Sequence, residues 1–241
     1  MNVSLPKAIL LDLDDTILAL TESADPCWQR VCERFASRID GLAPQKLLTA
    51  IKERCSWFWE DPERHLRGRL DLGRARREIV AAALLQLGID APALANEIAD
   101  TYSLEREEAL QPVPGAIEAL RHLRGQGVRL ALITNGSAKA QRRKIDRFDL
   151  SPLFDSILIE GEFGVGKPDE RVYLHALDQL NVKPEEAWMA GDNLEWDVRA
   201  PQRLGIFAIW LDFAGRGLPE SSLVHPDRII RSLSELVWPK G

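Results

Sequence analysis

The sequence predicts an α/β protein in which a doubly wound parallel sheet carries an inserted α-helical domain. Two observations predict this fold class. Short apolar runs alternate with segments of helical period near the start of the chain and from about residue 112 onward, whereas residues 17–110 show helical periodicity alone. A strand–helix–strand alternation at this spacing implies right-handed crossovers, which make the strands parallel, as in a Rossmann-like core. With 241 residues, 45% of them hydrophobic, the chain is long enough for one large or two small domains.

Most of the predicted strands are continuous apolar runs rather than alternating ones, as expected for strands that are buried on both faces of a parallel sheet. They lie at 8–13, 129–134, 156–160, 187–190 and 206–211, with a weaker one at 228–230. Helical periodicity fills the segments between them, at 115–124, 138–148 and 170–180.

Two domains are predicted from these patterns. Residues 1–16 and 111–241 would form the Rossmann-like core, and residues 17–110 would form a helical insertion. Apolar side chains recur at helical spacing in the insertion, for example at Trp28, Val31 and Phe35, and we expect no strand there. The proline- and glycine-rich segment Gln111-Pro-Val-Pro-Gly115 indicates the boundary between the insertion and the second part of the core.

The composition argues against several functional classes. The chain has 31 basic and 37 acidic residues, for a formal charge of −6. We therefore expect no nucleic-acid partner, because a protein that binds nucleic acid needs a strongly basic surface. The first apolar run is too short to span a membrane and lacks a basic leader, so neither a membrane segment nor a secretory signal is expected. Three cysteines without paired metal spacing favour a reducing, cytoplasmic setting. With these classes disfavoured, we expect the protein to act on a small molecule.

Polar residues lie at or beyond the carboxyl ends of four of the predicted strands. Ligands of open parallel sheets bind beyond the carboxyl ends of the strands, so these residues are the candidates for a site. They are Asp12, Asp14 and Asp15 at the end of the first strand, Thr134 and Asn135 at the end of the second, Lys167 beyond the third, and Asp192 with Asp197 after the fourth.

Clustered carboxylates with one lysine suit a Mg²⁺ ion and a phosphoryl group. Magnesium prefers oxygen ligands and commonly combines one or two carboxylates with substrate phosphate and water. An aspartate that approaches a phosphate dianion at about 4 Å meets roughly 8 kcal/mol of repulsion at an effective dielectric constant near 20. The sequence therefore predicts Mg²⁺, together with Lys167, as the source of charge neutralisation.

The chain resembles the haloacid dehalogenase-like hydrolase superfamily in four ordered motifs at the strand ends. The insertion resembles the helical cap of that superfamily. The residues around the motifs are most similar to those of the 5′-nucleotidase, N-acylneuraminate-9-phosphatase and phosphoglycolate phosphatase branch. The motifs are Asp12-Leu-Asp14-Asp-Thr16, then Thr134, then Lys167-Pro168, then Gly191-Asp192 with Asp197.

The resemblance implies a phosphatase mechanism and assigns roles. Asp12 would attack phosphorus and Asp14 would act as general acid and base. Mg²⁺ would be held by the Asp12 carboxylate, the Asp14 backbone carbonyl and Asp192, with Asp197 in support. Thr134, a backbone N–H near Asn135, and Lys167 would hold the phosphoryl oxygens. The expected substrate is a small phosphorylated metabolite, such as a nucleoside monophosphate or sugar phosphate.

Two alternatives stay open beside hydrolysis. Phosphomutases of the same superfamily share these motifs but return the phosphoryl group to a second hydroxyl. A non-catalytic binding protein could retain the fold, although such proteins commonly lose one of the catalytic acids. A dehalogenase is disfavoured because the resemblance places an acid at Asp14, where true dehalogenases have none.

A P-loop is disfavoured by the residue that follows Lys167. The segment 161–167 fits the glycine and lysine spacing of that motif, but the next residue is Pro168 rather than serine or threonine. Proline offers neither a hydroxyl ligand for Mg²⁺ nor a backbone N–H for phosphate. No glycine fingerprint for a dinucleotide follows the first strand.

The insertion contains a cluster of aromatic residues and arginines that has two interpretations. It could form a substrate pocket in which an arginine binds an anion. Alternatively, it combines core aromatics with solvated helix faces, since four nearby acids offset much of the charge. The cluster comprises Trp57, Phe58 and Trp59 with Arg64, Arg67, Arg69, Arg74, Arg76 and Arg77.

Overall fold

The computed structural model describes residues 5–237. The contacts divide the chain into two compact units, one that contains residues up to Ala19 and from Gln111 onward, and one that runs from Leu20 to Leu110. The ends of the predicted core domain, residues 1–4 and 238–241, lie outside the described residues.

The first unit is built on a six-stranded parallel sheet with the strand order β5-β4-β1-β6-β7-β8. The predicted α/β, Rossmann-like core is therefore confirmed. The central strand pairs on both sides, with Leu11 opposite Leu132 of one neighbour and Ala190 of the other. The strands are β1 Ala8–Leu11, β4 Arg129–Thr134, β5 Ser156–Ile159, β6 Ala187–Gly191, β7 Phe207–Leu211 and β8 Arg228–Ile230.

Burial explains why the apolar runs form these strands. All four residues of β1 are fully buried, so their side chains pack on both faces of the sheet. Helices cover the sheet: Val172, Tyr173 and Ala176 of one helix, for example, pack into the core beside Leu10. The helices of this unit are α6 Ala116–Gly125, α7 Ala138–Arg147, α8 Glu160–Phe163, α9 Glu170–Gln179 and α10 Ala200–Arg203.

A short antiparallel pair corrects the prediction for residues 17–110. Leu18–Ala19 (β2) pairs with Gln111–Pro112 (β3), so the expectation of no strand in that segment is wrong at its first residues. Two residues are too few to carry a periodic pattern. Their pairing depends on chain segments that are distant in the sequence, and it places the boundary between the units after Ala19.

The regular secondary structure described in the second unit is all helical, and the unit has an apolar core of its own. The residues at the predicted helical spacing, Trp28, Val31 and Phe35, are buried in this core, and the Trp28 ring stacks on Tyr102 at 3.5 Å between centroids. Its helices are α1 Ala24–Ala36, α2 Pro44–Glu60, α3 Pro62–Leu70, α4 Leu72–Gln86 and α5 Pro92–Ala109. Over the described part of the chain, every helix is too short or too polar to cross a membrane.

Candidate active site

The candidate site lies at the carboxyl ends of the central strands. Asp12 directly follows β1, and its backbone N–H donates to the carbonyl oxygen of Ala190 in β6 at 3.1 Å. The Asp12 side chain is buried, and the hydroxyl of Thr16 donates to it at 3.4 Å. Because these strand ends share one edge of the sheet, residues that are far apart in the sequence meet there.

Lys167 is the cation at the centre of this site. Its Nζ lies 2.6 Å from Oδ1 of Asp12 and 2.6 Å from Oδ1 of Asp197, and its side chain is 1% exposed. Burial alone lowers the pKa of this lysine, but the two carboxylates outweigh burial and raise the pKa of Lys167 above its ordinary value. The ammonium therefore stays charged inside the protein.

Three carboxyl groups converge around that lysine. One oxygen each from Asp12, Asp192 and Asp197 lies within 4.8 Å of the others. Burial raises the pKa of Asp12 to about 7 against the opposing effect of Lys167. Burial, followed by the neighbouring Asp12 and Asp197, raises the pKa of Asp192 to about 8. Asp12 and Asp192 therefore resist ionisation in this buried place. A hard divalent cation would favour their ionised forms, and the carboxylate oxygens of the cluster are the ligands that such a cation prefers.

Asp197 is held in place by the loop after β6. It accepts a hydrogen bond from the backbone N–H of Asn193 at 3.0 Å, and the segment Leu194–Arg199 winds as a single π-helical turn. The carboxylate lies against the backbone of Gly191, where a Cβ atom would come within 2.3 Å of Oδ2 of Asp197. Glycine is therefore required at 191 by the close approach of the carboxylate.

Asp14 has partners that the sequence did not identify. Nζ of Lys144 lies 2.7 Å from each carboxylate oxygen of Asp14, and the side-chain amide of Gln141 donates to Oδ2 at 3.1 Å. The same amide donates to the hydroxyl oxygen of Thr134 at 2.5 Å. Gln141 and Lys144 are three residues apart in α7, so they share a helix face. That spacing, in the helix directly after the Thr134 strand end, is the signal that could have identified them.

Asn135 ties two of the strand ends together. Its side-chain amide donates to the Lys167 carbonyl oxygen at 2.8 Å, and its Oδ1 accepts from the Lys167 backbone N–H at 2.7 Å. The side chain is therefore engaged by the backbone that carries the lysine. Thr134, its neighbour, is buried.

The structure thus assembles the predicted residues into two adjoining groups. Asp12, Lys167, Asp192 and Asp197 form the charged cluster. The second group, Asp14 with Thr134, is joined through Gln141. Asp15, for which the sequence suggested no firm role, forms the turn after β1 with a φ of 59°. Aspartate is among the few non-glycine residues that adopt this left-handed conformation readily.

The chain is similar to known proteins over most of its length. A family model described as haloacid dehalogenase-like hydrolase matches residues 6–205. The chain belongs to this family. The sequence-based family prediction is therefore confirmed, and with it the classification as a hydrolase.

Named relatives of this haloacid dehalogenase-like hydrolase are phosphatases. Phosphoserine phosphatase of Thermus thermophilus is 40% identical over 166 residues, a match that covers 68% of this chain and 64% of that protein. Glyceraldehyde 3-phosphate phosphatase of Pyrococcus furiosus is 31% identical over 211 residues, 86% of this chain and 81% of that protein. These relatives support phosphatase activity for the chain.

The fold is shared with solved structures of the family. The HAD-hydrolase YfnB of Bacillus subtilis, solved bound to magnesium, superposes with a TM-score of 0.74 at 22% identity, and the match covers 98% of each chain. At that identity the likeness concerns the fold.

Proposed function

We propose that this haloacid dehalogenase-like hydrolase cleaves a small phosphomonoester in a Mg²⁺-dependent reaction through an aspartyl-phosphate intermediate on Asp12. The observation that carries the proposal is the buried contact of Asp12 with Lys167, 2.6 Å long, inside a cluster of three carboxyl groups. The phosphatase names of the relatives support the reaction class.

In the first step an Asp12 oxygen forms a bond to phosphorus, and the bond between phosphorus and the ester oxygen breaks. Asp14 gives its proton to the leaving oxygen, which departs as an alcohol. In the second step Asp14 accepts a proton from water, and the hydroxide oxygen attacks phosphorus. The bond to Asp12 breaks, and inorganic phosphate leaves. Each aspartate ends in the state in which it began.

The residues around Asp12 must neutralise its electrostatic repulsion from the substrate phosphate. The repulsion between Asp12 and a phosphate dianion is about 8 kcal/mol at 4 Å and an effective dielectric constant near 20, and one ammonium offsets about half of it. Lys167 supplies that charge from its buried position. We propose that the Asp12 and Asp192 carboxylates and the Asp14 carbonyl hold Mg²⁺, with Asp197 in support. When bound, the ion would neutralise phosphoryl oxygens.

Thr134 and Asn135 would orient the phosphoryl group. The Thr134 hydroxyl oxygen accepts a hydrogen bond from the Gln141 amide, and its own proton makes only a long hydrogen bond of 3.5 Å to the Asn135 carbonyl oxygen. That proton would turn to a phosphoryl oxygen when substrate binds. The Asn135 side chain is engaged by Lys167, and we therefore assign its contribution to its backbone N–H.

We further propose that the helical unit, residues 20–110, serves as the cap that selects the substrate. The named relatives act on a phosphorylated amino acid and on a phosphorylated three-carbon aldehyde. A small phosphorylated metabolite, as the sequence suggests, is the substrate class that we propose, in a cytoplasmic setting.

The test is the substitution Asp12→Asn, assayed with 4-nitrophenyl phosphate and Mg²⁺. We expect turnover to fall at least about 1,000-fold, because an amide is a poor nucleophile toward phosphorus. Asp178→Asn is the matched control, since Asp178 is an exposed acid of α9. Near-normal turnover by the Asp12 variant would exclude Asp12 as the nucleophile. Sugar-phosphate isomerisation without phosphate release would favour a phosphomutase instead.

A further inference from the structure

The backbone of Asp192 is held by a tryptophan of the neighbouring strand. Nε1 of Trp210, in β7, donates a hydrogen bond to the carbonyl oxygen of Asp192 at 2.7 Å. The pairing of β6 with β7 places Trp210 opposite Gly191, so its indole reaches the residue that directly follows β6. An indole has one donor and no acceptor, and Trp210 is only 8% exposed, so this carbonyl oxygen takes the place of water.

The ring of Trp210 also packs on the turn that carries Asp197. Trp210 belongs to a small apolar cluster that includes Val198. Val198 directly follows Asp197 in the π-helical turn Leu194–Arg199. Packing on this turn restricts the indole, so the direction of its N–H is fixed. One side chain of β7 therefore engages both ends of the segment that joins the Asp192 and Asp197 carboxylates.

That segment is shaped by hydrogen bonds of its own. The Asn193 side chain accepts from two backbone N–H groups of the segment, each at 3.0 Å, and the Asn193 backbone N–H donates to Asp197 at 3.0 Å. These bonds fix the shape of the segment but not its position on the sheet. Two side chains from other elements hold its main chain: Trp210, and Tyr173 of α9, whose hydroxyl donates to the Trp196 carbonyl oxygen.

The position of this main chain matters because the carboxyl groups are crowded. One oxygen each from Asp12, Asp192 and Asp197 lies within 4.8 Å of the others, and like charges at that separation repel. Asp12 and Asp197 are each held by Lys167 at 2.6 Å. The Asp192 side chain, by contrast, has neither an ion pair nor a hydrogen bond among the described residues. Its position therefore depends on the main chain to which Trp210 is bonded.

We infer that Trp210 is a positioning residue for the proposed metal site: through the Asp192 carbonyl it holds the Asp192 carboxylate beside Asp12 before a cation binds. The inference rests on the proposed function, since it takes the carboxyl cluster as the Mg²⁺ site. Trp210 acts through the backbone of a ligand and supplies no ligand atom itself. Residues that orient metal ligands in this way commonly contribute about 10- to 100-fold to the affinity for the metal.

The substitution Trp210→Phe tests this role, because it keeps an aromatic ring in the apolar cluster and removes the indole N–H. We expect the Mg²⁺ dissociation constant, measured by calorimetry on the full chain without substrate, to rise about 10-fold. Trp188→Phe is the matched control and should leave that constant unchanged. Trp188 lies in β6, is 7% exposed, and packs on Phe207 at the opposite end of the same strand pair.

A second measurement uses the wild-type protein, so it does not depend on a stable variant. The Nε1–H signal of Trp210 in a nitrogen-15 NMR spectrum is assigned through its proximity to Val198. In metal-free protein we expect this proton to exchange slowly with deuterium, because it is buried and hydrogen-bonded. Added Mg²⁺ should shift the signal, since the cation polarises the residue whose carbonyl accepts the bond, whereas the Trp188 signal should stay in place.

A lower Tm in Trp210→Phe with an unchanged Mg²⁺ dissociation constant would show a merely structural role and would overturn the inference. An indole signal that stays in place while Mg²⁺ binds to the wild type would also overturn it. Either result leaves the proposed function intact, because the wild type still binds Mg²⁺. A wild type that binds no Mg²⁺ overturns both. Binding that Trp210→Phe weakens, in a protein that hydrolyses no phosphomonoester, supports the inference and contradicts the proposed function.

Discussion

Lys144 donates a hydrogen bond to both carboxylate oxygens of Asp14, each at 2.7 Å. The two residues are 130 positions apart in the sequence and join α7 to the loop after β1. With their side chains 15% and 24% exposed, the pair is better shielded from water than a surface ion pair. Lys144, together with Gln141, therefore sets the orientation of the carboxylate to which we assign the proton transfers.

The substitution Lys144→Met tests this positioning role. We expect turnover of an alkyl phosphate to fall about 10- to 100-fold, because a misoriented acid transfers its proton poorly. Turnover of 4-nitrophenyl phosphate should fall much less, since nitrophenolate leaves without a proton. Lys139→Met, an exposed lysine in the same helix, is the control. Equal losses on both substrates would indicate a structural role for Lys144.

Removal of Lys167 should destabilise the fold as well as abolish activity. In Lys167→Met, Asp12 and Asp197 lose the ammonium that lies 2.6 Å from each of them. We expect the free energy of unfolding to fall by about 3–5 kcal/mol, because buried carboxyl groups are left unpaired. Urea denaturation measures the loss, and added Mg²⁺ should recover part of it. A variant as stable as the wild type without Mg²⁺ would contradict this account.

Gly191→Ala should displace Asp197. The added Cβ would lie 2.3 Å from an oxygen of that carboxylate, so either the carboxylate or the backbone of β6 must move. We expect a loss of about 1–3 kcal/mol in the free energy of unfolding, with reduced phosphatase activity. Gly125→Ala is the matched control, because open space surrounds that position. Full activity and stability in the Gly191 variant would show that the site tolerates the shift.

Magnesium should stabilise the protein through the carboxyl cluster. Burial raises the pKa of both Asp12 and Asp192 even beside Lys167, so a divalent cation that favours their ionised forms should bind there. We therefore expect added Mg²⁺ to raise the Tm and a chelator to abolish turnover. Asp192→Asn should remove most of the Tm increase, whereas Asp178→Asn should leave it intact. Turnover that is indifferent to chelation and to added Mg²⁺ would argue against the metal site.

Much of the sheet followed from local sequence. The run at 129–134 was predicted to the residue, because a buried parallel strand needs apolar side chains on both faces. The run at 8–13 was predicted two residues too long, since Leu13 is as buried as the strand that precedes it. Side chains stay buried beyond the last residue that pairs with a neighbouring strand. An apolar pattern predicts burial and not backbone hydrogen bonding, so it places the end of the strand too late.

The charged site was predictable in part. Asp12, Lys167, Asp192 and Asp197 follow strand ends, and parallel strands bring those ends together. Gln141 and Lys144 were missed because polar residues on a helix normally face water. Their spacing places both on one face of α7, but only the tertiary structure shows that this face lies against Asp14 in the loop after β1.

By itself, the sequence determined the parallel core, its strand ends and the family to which the chain belongs, because each depends on residue types at short range. The tertiary structure alone decided which chemically identical residues differ in their surroundings. Arg76 and Arg77 are adjacent arginines on one helix, yet one lies beside Tyr102 and Arg106 while the other pairs with Asp100 at the surface. The physical reason is that charge, hydration and partners are set by neighbours in space, which in this protein come from remote parts of the chain.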